Sequence, residues 1–128
     1  MAESWLLDTD VLIDYLRGQV DAVDFLQSAT AELRISSATV AELYVGVRAG
    51  REHKVLDRFV DTFDVVPVTG DLAKQAGLWR RDYGKSHGTG LMDALIAACA
   101  SASASRLVTL NEKHFPMLDN LLVPYRKG

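Results

Sequence analysis

The sequence predicts an α/β fold, an α/β/α sandwich around a short, mostly parallel central sheet, and three observations carry that reading. Strand-like and helix-like stretches alternate along all 128 residues, the pattern of a parallel sheet covered by helices on both faces. The first apolar run is too short for a buried helix and suits a central strand. An acid, Asp8, then stands where that strand should end, and ligands of open parallel sheets bind outside the carboxyl ends of the strands.

The elements follow in order. Met1 to Leu7, closing on Trp5-Leu6-Leu7, reads as the first strand. Thr9 is placed to cap a helix starting near Asp10, with Val11, Leu12, Ile13 and Leu16 on its apolar side. Gly18 stops it, and Val20, Val23, Phe25 and Leu26 start a second helix. Leu33 to Ser36 alternates as a short strand. Val40, Leu43, Tyr44 and Val47 then fall at helical spacing, with Gly50 as terminator. Val55, Leu56, Phe59, Val60 and Phe63 mark a fourth helix whose polar side carries Arg51, His53, Lys54 and Arg58.

Val65 to Val68 is a strand, and Pro67 within it points to an edge position. Thr69-Gly70-Asp71 opens a helix through Trp79, followed by a basic, glycine-containing flexible loop over Arg80 to Gly90. Leu91 to Ala104 is a buried helix interrupted by Asp93, and Leu107 to Leu110 is a strand. Asn111 to Leu118 forms a loop or short helix, Leu121 to Val123 a last strand, and Lys127-Gly128 a loose end.

Length and composition point to one domain over residues 1–128 that buries a core without disulfides or a structural metal. The hydrophobic fraction of 48% and charged fraction of 24% are those of an ordinary globular protein. A single cysteine, Cys99, removes an internal disulfide and a cysteine-rich zinc site. No stretch approaches the roughly 20 apolar residues of a membrane span, and the start lacks a signal-peptide pattern, so a cytoplasmic location is expected. A net charge of −3 argues against coating duplex DNA by bulk electrostatics. There is no phosphate-binding glycine loop and no dinucleotide fingerprint.

Three acids then stand out. Asp8 follows the first strand, Glu42 enters the helix after the second, and Asp93 sits early in the helix before the strand at Leu107. A parallel sheet brings all three to one end. Crowded carboxylates raise one another's pKa at a cost in stability, which a divalent cation removes. Hard ions such as Mg²⁺ and Mn²⁺ suit such oxygens. Asp8 and Glu42 have structural alternatives, in that Asp8 or Asp10 caps or charges a helix start and Glu42 closes a capping box with Thr39, whereas Asp93 among Leu91, Met92, Ala94 and Leu95 is costly unless something pairs with it, which points to function.

The stretches LLDTDVLIDYL (6–16), ISSATVAELYVGV (35–47), GLMDALIAACA (90–100) and LVTLNEKHF (107–115) resemble the PIN-domain ribonucleases of the VapC toxin class, in that family's order and spacing. The resemblance implies a PIN-like sandwich and a Mg²⁺- or Mn²⁺-dependent endoribonuclease that hydrolyses RNA phosphodiesters with metal-activated water. By it, Asp8, Glu42 and Asp93 match the metal-binding acids, and Thr9 and Thr109 match supporting hydroxyls. Asn111 and His114 occupy the segment where the family often carries a fourth acid. Asn111 is left to bind a metal-held water or orient Asp8, and His114 to touch a phosphate or simply line the loop. Arg48, Arg80, Arg81, Lys85 and His87 are candidates to guide the RNA backbone or ordinary surface.

The resemblance further implies a cognate VapB-type antitoxin whose C-terminal segment covers the groove, a homodimer and a toxin–antitoxin hetero-oligomer. Two alternatives stay open. Asp8-Thr9-Asp10-Val11-Leu12 also fits haloacid-dehalogenase-like phosphatases, with Asp8 as nucleophile, and the absent fourth acid leaves room for a catalytically weak PIN interaction module.

Overall fold

A computed structural model describes residues 3–126. Four strands, β1 (Ser4–Leu7), β2 (Glu32–Ser36), β3 (Asp64–Val66) and β4 (Arg106–Val108), form one sheet in the order β3-β2-β1-β4. Every pairing is parallel, with Leu6 opposite Arg34 and Leu107, and Ile35 opposite Val65. The parallel α/β sandwich expected from the alternation is the fold observed, and β3 with its following proline lies at an edge.

Strand periodicity separates the two cores. Successive residues of a strand face opposite ways, so Leu7, Ile35 and Val108 pack on one face while Leu6 and Leu107 pack on the other. The first face is covered by α1 (Thr9–Leu16), α2 (Val20–Gln27), α3 (Ser37–Val45) and α4 (Arg51–Asp61) through Val11, Leu12, Phe25, Leu43, Leu56 and Val60. The second is covered by α5 (Gly70–His87) and α6 (Leu91–Ala102) through Leu72, Trp79, Ile96, Ala97 and Cys99. Ala76 meets Ala94 and Ala98 where these two helices touch, since small side chains let the backbones approach. Cys99 is fully buried 3.2 Å from Ser36 Oγ, and burial pushes its thiol pKa up.

Several boundaries differ from the sequence reading. Helix α1 begins at Thr9, and Asp8 rather than Thr9 is its cap, accepting from Thr9 N at 2.8 Å. Helix α3 ends at Gly46, not Gly50; Gly50, at φ 86°, instead precedes α4. The flexible loop expected over Arg80 to Gly90 is mostly helix, because α5 runs on through His87. Gly84 costs such a helix only about 1 kcal/mol. The true stop is Gly88 in the left-handed region at φ 70°, with Lys85 and His87 in the last turn where cations suit the helix dipole. Glu112–His114 is a 3₁₀ turn. The strand expected at Leu121 to Val123 reduces to one parallel bridge between Leu122 and Val108. The expected loose end at 127–128, and the start of the first strand at 1–2, lie outside the described residues.

Candidate active site

At the carboxyl end of the sheet a cavity of about 220 Å³ is lined by Asp8, Thr9, Asp10, Glu42, Asp93 and Asn111, with Ile13 and Met92. The three acids picked from the sequence therefore share one site, each delivered by a different element. Asp8 leaves β1 at a point where its own amide still donates to Val108 O of β4 at 2.9 Å. Glu42 comes from α3, and Asp93 from the first turn of α6.

Hydroxyls expected to support the acids do reach them. Thr109 Oγ1 donates to Asp8 Oδ2 at 2.7 Å, so both oxygens of this nearly buried carboxylate are held. Thr9 Oγ1 donates to Glu42 Oε1 at 2.6 Å and lies 3.0 Å from the buried Thr39 Oγ1. That bond answers the capping-box alternative for Glu42: α3 is capped by Ser36, which accepts from Ala38 N, and Glu42 turns instead to α1. The Asn111 side chain is hydrogen-bonded to Asp10 rather than to Asp8. Its Nδ2 donates to Asp10 Oδ2 at 2.9 Å, and its amide is held by Thr109 Oγ1 at 3.0 Å.

Asp93 is about a quarter exposed rather than sealed among apolar neighbours. Its Oδ2 accepts from Gly90 N at 2.9 Å and lies 3.3 Å from His114 Nδ1. His114 is fixed in turn by Thr89, whose buried hydroxyl donates to the His114 carbonyl at 2.8 Å. Sequence reasoning undervalued two residues here. Asp10, read as a helix-start acid or as the second aspartate of the dehalogenase-type motif but not as a member of this site, lines the cavity, and its place two residues after Asp8 was the available signal. His114 has no local signal, because its contact to Asp93 is made across 21 positions of chain by the turn that Thr89 holds. None of the proposed guiding cations Arg48, Arg80, Arg81, Lys85 and His87 lines the cavity.

The electrostatics follow from the crowding. Burial, then the charges of Asp10 and Asp93, raise the Asp8 pKa to about 7, against the opposing bonds from Thr109 and Thr9. A divalent ion would remove this penalty, and an all-oxygen donor set suits Mg²⁺ or Mn²⁺ in kind. As the side chains stand, however, each acid is engaged with protein donors. No three His, Cys, Asp or Glu side chains among the described residues are gathered closely enough to hold a metal ion.

Comparison with known proteins places this geometry. The PIN domain family profile matches residues 5–120, and the chain belongs to that family. Within it the similarity is to the VapC proteins: 44% identity over 123 residues with Ribonuclease VapC10 of Mycobacterium tuberculosis, covering 94% of this chain and 92% of that one. Ribonuclease VapC19 of the same organism is 36% identical over 94% of this chain and 98% of its own. A solved toxin-antitoxin complex from Klebsiella pneumoniae superposes with a TM-score of 0.81 at 27% identity, over 95% of this chain and 98% of its counterpart. Membership of the PIN family sets aside the dehalogenase-type alternative. No helix among the described residues is long and apolar enough to cross a membrane.

Proposed function

We propose that this chain is a cytoplasmic, metal-dependent endoribonuclease, a single PIN domain acting as the toxin of a VapBC-type pair. The observation that carries the reading is the convergence of Asp8, Glu42 and Asp93 on one cavity at the carboxyl end of a parallel sheet, in a chain similar to proteins named ribonucleases. Asp8 and Asp93 would hold Mg²⁺ or Mn²⁺, with Glu42 binding the ion or its water. The ion would supply an acidified water and charge neutralisation at the phosphate.

The chain's own groups account for the rest. Thr109 and the Thr9 amide fix the Asp8 carboxylate, so its lone pairs are aimed before substrate arrives. Glu42, held through Oε1 by Thr9, would bind the ion or its water and help draw off a proton. His114 steadies Asp93.

A VapB-type antitoxin is the proposed partner, alongside a homodimer and a toxin–antitoxin hetero-oligomer. The partner's site is supported by a second cavity of about 440 Å³ between α1, α3 and α4, walled by Ile13, Leu16, Leu43, Val47 and Val55 and sharing Glu42 with the acid cavity. A segment seated there reaches the acids directly.

Incubating single-stranded RNA with the chain and Mg²⁺ or Mn²⁺ tests the reading. Cleavage by wild type, lost in folded Asp8→Asn and Asp93→Asn and abolished by EDTA, is expected. A folded wild type that cuts no RNA with either metal would leave only the non-catalytic interaction module.

A further inference from the structure

Beside the acid cavity lies a second polar pocket, of about 360 Å³, lined by Asp10, Leu110, Asn111, Val123, Tyr125 and Arg126. Asp10 and Asn111 belong to both, so the two are separated only by that hydrogen-bonded pair. Accepting the nuclease reading, we propose that this pocket is a nucleotide subsite, receiving the base and sugar next to the cleaved phosphodiester, with Arg126 on the neighbouring phosphate and Tyr125 against the base.

Four features favour a nucleotide. The volume lies at the low end of the about 300–1,000 Å³ range of small-ligand sites, enough for one nucleotide unit and not for a folded partner. Leu110, Val123 and the Tyr125 ring give apolar wall, the surface on which bases stack regardless of sequence. The Asn111 carboxamide offers donor and acceptor atoms side by side at the boundary, matching base edges and ribose hydroxyls. Arg126 stands at the rim with a side chain 77% exposed, tied to Glu112 only by a 3.6 Å surface pair. Such a pair contributes little, whereas a guanidinium to phosphate contact is charge-assisted and bidentate.

The tyrosine is anchored for the purpose. Its phenol O–H donates at 2.8 Å to Asp14 Oδ2, a carboxylate only 5% exposed on α1. Burial and this bond push the Tyr125 pKa up, so the hydroxyl stays protonated and committed to the wall. What Tyr125 then presents to the pocket is a ring held in place, which loses little freedom when a base settles on it.

The test is RNA binding and cleavage by the full chain. Fluorescence anisotropy with a labelled single-stranded oligoribonucleotide is read in the Asp93→Asn background, and KM and kcat are read with otherwise native chains and Mg²⁺. Arg126→Gln should weaken binding about fivefold and lower the salt slope by about 1. Val123→Trp, which fills the pocket, should raise KM about tenfold with kcat changed less than twofold. Arg58→Gln removes the same charge from α4 and should do neither. If Val123→Trp fails to fold by circular dichroism, exposed Arg126→Gln alone decides. Pocket variants indistinguishable from Arg58→Gln, in a chain that binds and cuts RNA, overturn the subsite and leave the nuclease standing. A wild type that neither binds nor cuts RNA overturns both.

Discussion

The two ends of the sheet handle charge in opposite ways. At the amino end, acids meet bases: Glu3 pairs with Arg106 at 3.6 Å, and Glu32 with Arg34 at 3.2 Å, all on partly exposed side chains. At the carboxyl end Asp8, Asp10, Glu42 and Asp93 line one small cavity. The buried groups around them are hydroxyls, Thr9, Thr39 and Thr109, which offer hydrogen bonds without cancelling charge. Carboxylates gathered this closely raise one another's pKa, as at Asp8, a cost that a fold selected for stability alone has no reason to carry. That the two ends differ is the physical argument for a site at one of them.

Predictions that test the contrast run from the largest effect to the smallest. Asp8→Asn or Asp93→Asn should lower kcat/KM for RNA by more than the about 10–100-fold typical of losing a supporting contact, measured by gel assay of end-labelled RNA. Thr109→Val, which leaves Asp8 in place but loosens one oxygen, should fall within that 10–100-fold range. Equal losses from Thr109→Val and Asp8→Asn would show that the hydroxyl does more than position the carboxylate.

Stability should depend on pH in a direction set by Asp8. Its folded pKa of about 7 lies above the ordinary 3.8. The folded state therefore binds the proton more tightly, and its contribution to stability, complete below about pH 4, is lost as pH rises through about 7. Metal-free protein should melt lower at pH 8 than at pH 5 on this account, and Mg²⁺ should raise the midpoint more at pH 8, as differential scanning calorimetry would record. Asp8→Asn should flatten the dependence. Smallest of all, Glu3→Gln at the opposite end, which removes only the half-exposed partner of Arg106, should cost about 0–1 kcal/mol by denaturant titration and leave RNA cleavage unchanged, as a surface pair does. A large loss of cleavage there would break the comparison.

Most of the fold was legible because strand and helix periods, 2 and 3.6, are written in the apolar positions. Leu6 and Leu7 could be read as a buried strand, and each indeed serves a separate core. What failed was punctuation. Gly84 and a run of cations suggested a loop over Arg80 to Gly90, but a helix tolerates both when its apolar face, through Leu72, Ala76 and Trp79, stays packed. The site was legible in part. Asp93 drew attention through its apolar neighbours, although it sits at a helix start with its carboxylate a quarter open. The partner of Glu42, the target of Asn111 and the reach of His114 all depend on tertiary contacts, which spacing along a chain does not encode.

The bond from Thr109 to Asp8 joins positions 101 residues apart, and the Asp8 amide is likewise completed by Val108. A ribosome partway through this message therefore carries a first strand whose acid has neither its hydroxyl nor its neighbouring backbone. Only once residues 108 and 109 have emerged can the carboxyl end of the sheet close around Asp8. The order in which the strands are synthesised thus leaves the surroundings of Asp8 to be completed by β4.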